Sequence, residues 1–213
     1  MNFIRKHWYD IGGLFAICVV IYLLWSKGLT AYNYIVWLSL VSLFLHQLEE
    51  YRIAGTFPGM INKRIFKSDW PDRYPLNTNT ALIVNVWLGW SFYFLAAIMG
   101  DKAIWLGIAT ITVSLGNIVA HTIVFNIKGK TIYNAGIATS WLFFAPCVFF
   151  FFYIIHKENL VTTTDYLTGI PLGMAINIIG VLKMITWLAD KNTPYIFEQR
   201  NLLPSDRKTN NNS

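Results

Sequence analysis

Charged residues are scarce in this chain of 213 residues, at 13% of the sequence. Ordinary soluble domains carry about 25%. Hydrophobic residues make up 55%, aromatic residues make up 16%, and the mean hydropathy is +0.44. This composition excludes an ordinary water-soluble domain and favours an integral membrane protein, whose main partner is the lipid bilayer.

Cysteine is also rare, with only Cys18 and Cys147, each inside an apolar run. Two isolated cysteines without a motif argue against a disulfide framework, and we interpret them as small buried apolar residues. The sequence also lacks a glycine-rich phosphate-binding loop, a nucleophile elbow and a His-Glu-x-x-His zinc motif. Function classes that depend on those motifs are therefore not indicated.

What the chain has instead is six continuous apolar segments. Each is close to the roughly 20 residues that a membrane-spanning helix needs, and none alternates as a barrel strand would. No cleavage site follows the first segment, so we expect a retained helix and not a signal peptide. The predicted fold class is all-α, a polytopic membrane helix bundle that forms one domain over residues 1–190. The six predicted spans cover residues 8–26, 29–50, 79–100, 103–125, 132–155 and 165–188.

Lysine and arginine predict the orientation of this bundle. Of the 17 such residues, all but Lys27, Lys102 and Lys157 fall at the N-terminus, in the loops after the second and fourth spans, or toward the C-terminus. The positive-inside rule then places both termini in the cytoplasm. Since the net charge of +6 follows this topology, we expect no nucleic-acid partner. The expected location is the cytoplasmic (inner) membrane of a bacterium.

Two cytoplasmic segments lie outside the predicted spans. The loop over residues 51–78 mixes Ile61, Ile65, Phe66 and Trp70 with basic residues. This pattern predicts a short helix that lies on the lipid headgroups. Residues 191–213 form a polar C-terminal tail that we expect to be disordered at its end.

Ionisable residues within the spans point to a site, because such groups are costly in a bilayer and are usually functional. His46, Glu49 and Glu50 are spaced i, i+3 and i+4, so they share one face of the second helix. At a rise of ~1.5 Å per residue, His46 lies about 25 Å and His121 about 27 Å from the outer ends of their spans. The two histidines are therefore predicted at the same depth, near the cytoplasmic edge.

Other polar residues collect in the same half of the bundle, which favours a shared cavity facing the cytoplasm. The supporting residues that we single out are Asn85, Asn117, Tyr133, Asn134, Asn177 and Lys183. The three asparagines within spans also suit plain interhelical hydrogen bonds. Tyr133 and Asn134 also suit an interfacial anchor and a helix cap.

Three kinds of site are compatible with this cluster. A divalent metal such as zinc, iron or manganese suits imidazole and carboxylate ligands, and a mononuclear site fits better than a di-iron site, which needs another carboxylate. A glutamate in an apolar pocket beside a histidine also suits metal-free acid–base catalysis. The third interpretation is structural, with Glu50 paired to Arg52 or Lys183 and His46 hydrogen-bonded within the bundle. The candidate catalytic or metal-ligating residues are His46, Glu49, Glu50 and His121.

The run His46-Gln47-Leu48-Glu49-Glu50 resembles the signature of the HXXEE-domain proteins, a bacterial family of multi-pass membrane proteins without an assigned function. The resemblance continues through Phe57-Pro58, His121 and Tyr133-Asn134-Ala135-Gly136, and it covers about residues 30–145. Ala135 departs from the family pattern, which has a Pro-Gly-like pair at this turn. The resemblance implies a membrane protein with these polar residues in its site, and it implies no particular reaction.

The function expected from these residues is a membrane enzyme with a lipidic or amphiphilic substrate, either a metal-dependent hydrolase or an acid–base isomerase. One alternative is a proton- or cation-coupled carrier or binding protein, although the apolar outer half offers such a protein few polar groups. A non-catalytic membrane assembly subunit is the other alternative. The sequence leaves open whether the protein is an enzyme and whether a metal is its cofactor.

Overall fold

The computed structural model describes residues 2–207, and every regular element in this range is helical. The all-α prediction is confirmed for these residues. Several helices change along their length from α-helical to wider, π-helical turns. We number the continuous helices in chain order as α1 (Asn2–Trp25), α2 (31–53), α3 (57–65), α4 (78–99), α5 (104–129), α6 (Ile137–Lys157) and α7 (Thr163–Trp187).

Four helical stretches are long and apolar enough to cross a membrane, namely α1, Thr78–Gly129, α6 and α7. Thr78–Gly129 has 52 residues, and a straight rod of that length would extend ~78 Å, more than twice the ~30 Å hydrocarbon layer. The stretch folds back at Gly100–Ala103, which separates α4 from α5. As a result, the Tyr93 hydroxyl of α4 donates a hydrogen bond to the Thr110 carbonyl of α5 over 2.9 Å.

The helix α2, which the sequence predicts as a span, is not among these four, and it lies in the interior of the bundle. It begins after Thr30, whose hydroxyl accepts a hydrogen bond from the Asn33 N–H over 3.1 Å and caps the helix. Most of its side chains are buried, including the polar His46 and Gln47. A helix that is buried on nearly all sides needs contacts on every face, which α1, α4, α5 and α6 together supply.

The segments that the sequence places in the cytoplasm meet at one end of the bundle. Arg5 Nε of α1 donates to Asn79 Oδ1 at the start of α4 over 3.0 Å. The Asn201 side-chain amide donates to the Tyr51 and Gly55 carbonyls over 3.1 and 2.9 Å. The structure thus groups the N-terminus, the loop after α2 and the C-terminal segment as the topology requires. The side of a membrane that they face stays a prediction.

The loop after α2 contains the short helix α3, in the region where the sequence predicts a helix on the lipid headgroups. Two of its apolar residues, Met60 and Ile61, are buried within the protein. Trp70, further along the loop, is 47% exposed. Part of the apolar surface that we assigned to the headgroups therefore packs against the bundle.

Asn62 of α3 is fully buried and holds the loop that leads to α4. Its amide donates to the Pro71 and Leu76 carbonyls over 3.0 and 2.8 Å, and its Oδ1 accepts from the Leu76 N–H over 2.9 Å. We expect Asn62→Ala to lower the free energy of unfolding by about 2–4 kcal/mol, because three backbone groups, two of them buried, lose their partners. A thermal melt in detergent measures this effect, with the exposed Asn192→Ala as the matched control. Equal melting temperatures of the two variants would contradict the role given to Asn62.

The C-terminal segment is packed against the bundle over its described residues, 191–207. Phe197 N–H donates to the Asp72 carbonyl over 2.8 Å, and Phe197 is buried. Leu202 is also buried, and it lies so close to Gly59 that a Cβ on this glycine would be 2.7 Å from the Leu202 Cα. Of the tail from Asn201 to Ser213, for which we predict disorder, Asn201 and Leu202 are buried, and residues 208–213 lie outside the described residues.

Both cysteines are free thiols. Cys147 is buried in α6, with its Sγ 3.2 Å from Ser42 Oγ. Cys18 is exposed on the surface of α1. The interpretation as buried apolar residues therefore holds for Cys147 and not for Cys18.

Candidate metal centre

His46, Glu50 and His121 converge in the interior of the bundle. His46 and Glu50 lie one turn apart on α2, and His121 comes from α5. Glu50 Oε1 lies 3.5 Å from His46 Nε2 and 3.3 Å from His121 Nε2. The two imidazole rings meet edge to face with their centroids 4.8 Å apart. The exposed fractions of His46, Glu50 and His121 are 2%, 4% and 0%.

Both helices that carry this cluster contain wider, π-helical turns, at Glu50 in α2 and at His121 in α5. The helix α2 takes π-helical turns at Glu49–Ile53, and α5 does so at Ala120–Val124. Such turns are rare and occur frequently at functional sites. Since α3, α4, α6 and α7 also contain π-helical turns, the local backbone does not by itself distinguish this cluster.

Asn134 fixes the orientation of His121. Its amide nitrogen donates to the His121 carbonyl over 2.8 Å and to Asn126 Oδ1 over 2.7 Å, so its side-chain oxygen is left as the acceptor. That oxygen lies 2.6 Å from His121 Nδ1. His121 Nδ1 must therefore carry a hydrogen and donate it. In the neutral ring, the lone pair is then on Nε2, which faces Glu50.

Thr139 of α6 fixes the orientation of His46 in the same way. The Thr139 hydroxyl donates its single hydrogen to Glu49 Oε2, which is 2.6 Å away. The hydroxyl oxygen lies 3.0 Å from His46 Nδ1 and can only accept there, so His46 Nδ1 also carries a hydrogen. The Nε2 lone pairs of both neutral histidines are consequently directed at a single oxygen of Glu50.

The distances within the cluster fit metal ligands better than hydrogen bonds. A charge-assisted N–H···O bond is about 2.7–2.9 Å long, which is shorter than the 3.3 and 3.5 Å found between these atoms. With metal–ligand bonds of about 2.0–2.1 Å, neighbouring ligand atoms of a tetrahedral zinc site lie ~3.3 Å apart. Among the described residues, neither Nε2 atom has a hydrogen-bond partner, although buried polar atoms normally have one. The three ligand atoms lie within 4.8 Å of one another, close enough for a single ion.

Glu49, the adjacent glutamate, points away from the two histidines. Its Oε2 accepts from the Thr139 N–H and hydroxyl over 2.8 and 2.6 Å, and its Oε1 accepts from the Tyr133 hydroxyl over 3.0 Å. The carboxylate sits at the first turn of α6, where free N–H groups and the helix dipole favour an anion. The sequence groups Glu49 with the ligands, whereas the structure places it behind Thr139, where it positions His46.

The turn before α6 packs directly on both imidazoles. Gly136 has a φ of +110°, and a Cβ on it would lie 2.3 Å from His121 Cε1 and 2.9 Å from His46 Cε1. The backbone conformation and the close approach both require glycine. Ala135, at which the chain departs from the family pattern, is buried beside it.

A mostly apolar cavity of about 80 Å³ lies beside the cluster, between α2, α4, α5 and α7. His46 and Glu50 form part of its wall. Phe57 of α3 also lines it, and the Phe57 ring stacks on that of His121 with the centroids 5.8 Å apart. The sequence predicts a cavity open to the cytoplasm, but in the structure the Phe57 ring covers one face of His121.

Two of the supporting asparagines, Asn85 and Asn117, line this cavity. Asn85 Oδ1 accepts from Gln47 Nε2 over 3.1 Å, and Gln47 Oε1 in turn accepts from the Trp90 indole N–H over 2.7 Å. Asn117 donates to the Val113 carbonyl of its own helix over 3.1 Å. These amides are held by neighbouring protein groups and do not reach the three candidate ligands.

The other supporting residues in spans lie apart from the cluster. Asn177 donates to the Thr112 carbonyl over 3.2 Å and so joins α7 to α5, as an interhelical hydrogen bond would. Lys183 is exposed on α7. Within residues 2–207, Glu50 pairs with neither Lys183 nor Arg52, because Arg52 Nε lies 3.2 Å from Asp10 Oδ1. Of the structural interpretation, the two expected pairs of Glu50 are therefore missing among the described residues, whereas His46 does bond within the bundle, to Thr139.

Sequence reasoning missed Thr139 as a part of the site. Its position three residues after a glycine, at the start of an apolar run, is typical of the first turn of a helix. That signal predicts a local role near the helix end. Nothing in a single sequence relates it to His46, 93 residues earlier.

Comparison with known proteins identifies one family. A family model described as "Protein of unknown function with HXXEE motif" matches residues 37–153, which is more than half of the chain. The matched range includes the three candidate ligands and both residues that orient the histidines. No curated protein and no solved structure matches the chain.

Proposed function

The chain belongs to the family of proteins of unknown function with an HXXEE motif, and we propose that it is a membrane enzyme built around one divalent metal ion on His46, Glu50 and His121. The observation that supports this proposal is the convergence of two imidazole lone pairs and one carboxylate oxygen on a single buried point. Zinc, iron and manganese all accept such ligands.

The number of ligands favours catalysis over a structural role. Structural zinc sites close the coordination sphere with four protein ligands, whereas catalytic sites use three and keep a position for water or substrate. His46 and Glu50, which would hold the ion with His121, also line the mostly apolar cavity. A metal ion held by these residues would activate water or polarise an acyl or phosphoryl oxygen, so hydrolysis of a lipidic or amphiphilic substrate is the reaction that we propose.

We propose further that the chain crosses a bacterial inner membrane six times, with both termini in the cytoplasm. Three observations support this topology: α4 and α5 are antiparallel limbs of one long stretch, α2 is buried among the helices long enough to span, and the basic segments share one end of the bundle. The metal centre then lies near the cytoplasmic edge of the membrane.

We expect purified wild-type protein to contain about one equivalent of divalent metal by elemental analysis. Removal of the metal with a chelator should lower the melting temperature in detergent by roughly 5–10 °C. This estimate follows because an ion at 100 times its Kd adds about 2.7 kcal/mol, and each kcal/mol shifts the melting temperature by about 2–4 °C.

The two remaining histidines provide the control against metal bound at the protein surface. His7 pairs with Asp10 at 2.9 Å, and His156 lies at the opposite end of the bundle. A variant with His7→Ala and His156→Ala should keep its equivalent of metal and its response to the chelator. The proposed metal centre would be overturned if purified wild-type protein contains no metal and the chelator does not change its melting temperature. The Glu50 carboxylate between two histidines would then support acid–base catalysis.

A further inference from the structure

The cavity beside the cluster has a mostly apolar wall, which includes Leu43, Leu88, Val113 and Ile176. His46 and Glu50 also line it, together with several amide and tyrosine side chains. Its volume of about 80 Å³ is several times the ~15 Å³ that a single water requires. An apolar cavity of this kind favours hydrocarbon over water.

The amides in the wall do not change this preference. Gln47 is held by Trp90 and Asn85, and the Asn85 amide nitrogen donates to the Ala81 carbonyl over 2.9 Å and to the Tyr51 hydroxyl over 3.3 Å. Because the Gln47 and Asn85 amides already bond to protein groups, they are not free to bind a polar chain. The Nε2 atom of His46, which has no hydrogen-bond partner among the described residues, and the Glu50 carboxylate are lining groups that can bind a ligand.

Part of the cavity wall lies near the outer surface of the bundle. Its walls on α4 and α7 lie in the π-helical segments Ile83–Trp90 and Ile176–Lys183, where Leu88 and Val181 are only partly buried. These two helices touch at Gly180, where a Cβ would lie 2.4 Å from Leu88 Cδ2. The Phe57 ring covers one face of His121.

We propose that this cavity binds the hydrocarbon chain of a single-chain amphiphile, which enters between α4 and α7 from the bilayer. The headgroup of the amphiphile takes the open position at the metal ion, through an acyl or other oxygen that ligates it. One narrow cavity accommodates one chain, so a two-chain lipid would have to leave its second chain in the bilayer. This inference rests on the metal centre proposed above and specifies the substrate that the centre serves.

The test uses the full-length protein loaded with Co²⁺ in nanodiscs of phosphatidylcholine. Three probes share a metal-binding headgroup and differ in chain length: acetohydroxamate, hexanohydroxamate and decanohydroxamate. Binding is followed by the cobalt absorption spectrum. For wild type we expect affinity to rise about fourfold per added methylene until the cavity is full, because each buried methylene is removed from water.

Gly89 offers a variant that fills the cavity without disturbing the ligands. It lines the cavity, and the nearest atom to an added Cβ is the Val84 carbonyl oxygen at 3.6 Å, an ordinary contact. Gly89→Leu should bind acetohydroxamate as wild type does and lose at least tenfold of the affinity for decanohydroxamate. Gly13→Leu on α1, with Leu48 at 3.4 Å from the added Cβ, is the matched control. Partition of the probes into lipid is equal for all variants. The ratio of a variant's affinity to that of wild type therefore reports only the contribution of the cavity.

The outcomes separate the two proposals. Protein that binds no Co²⁺ overturns the metal centre itself. Protein that binds Co²⁺ and acetohydroxamate, but in which Gly89→Leu and wild type respond equally at every chain length, overturns the chain-binding cavity alone. If Gly89→Leu does not fold, Val113→Phe fills the cavity from α5 and decides by the same comparison.

Discussion

Replacing Glu50 with glutamine should weaken metal binding by on the order of a thousandfold. The change removes the anionic ligand of the cluster and leaves a neutral amide of the same size. Two unit charges 4 Å apart at an effective dielectric constant of 20 attract each other by about 4 kcal/mol, or about three powers of ten in affinity. A divalent ion in direct contact with a carboxylate buried to 4% exposure loses at least as much.

The same substitution at Glu49 should have a much smaller effect, of about 10–100-fold. Glu49 contacts the metal site only through Thr139, which holds the His46 ring. Loss of such an outer partner typically reduces metal affinity by 10–100-fold. Glutamine can still accept from the Thr139 hydroxyl, so the orientation of His46 is weakened and not lost.

Competition between the protein and a chromophoric zinc chelator measures both affinities in one detergent. Gln47→Glu is unsuitable as a control, because Gln47 is buried and bonded to Trp90. Glu158→Gln, at the far end of α6, is the suitable one, and it should bind zinc as wild type does. Equal losses at Glu49 and Glu50 would mean that the two carboxylates share one role, contrary to the geometry.

The sequence could predict that the motif with His46, Glu49 and Glu50 forms a site, but it could not assign a separate role to each glutamate. Residues three and four after His46 flank it on the helix and stand ~100° apart around the axis. Either can face a neighbour on the same side. The choice depends on where α6 begins, since its first turn takes Glu49 and leaves Glu50 to the histidines. Only the packing of two helices that are distant in sequence supplies that information.

The depth of His46 and His121 in the bundle could be predicted from the sequence, but the side chains that bond to them could not. A helix rises uniformly, so residue counts alone place His46 and His121 at one level, and the structure brings them together. The partners that fix the rings belong to α6 and the turn before it, and their sequence signals are those of ordinary helix ends. The burial of the C-terminal segment could not be predicted either. Phe197 and Leu202 are buried, but the sequence around them has no helical or strand periodicity that would indicate it.

Gly136→Ala should disrupt the metal centre and lower the free energy of unfolding by about 3 kcal/mol or more. A side chain at φ +110° is strained, which costs about 1–3 kcal/mol. The new methyl group would also lie 2.3 Å from His121 Cε1, and inserting a carbon into a packed interior costs a further ~1–3 kcal/mol. Relief of the clash requires one imidazole to turn, which breaks its bond to Asn134 or Thr139.

Gly28→Ala separates the two contributions to this effect. Gly28 also has a positive φ, +88°, but no atom lies within 4 Å of the position of an added Cβ. Its substitution therefore adds backbone strain without a clash. Thermal melts and zinc titrations of the two variants should show a similar loss of stability from strain, with a further loss and weakened zinc binding only for Gly136→Ala. If both variants melt together and bind zinc as wild type does, the turn does not press on the imidazoles. The His–Glu cluster would then owe its geometry to Asn134 and Thr139 alone.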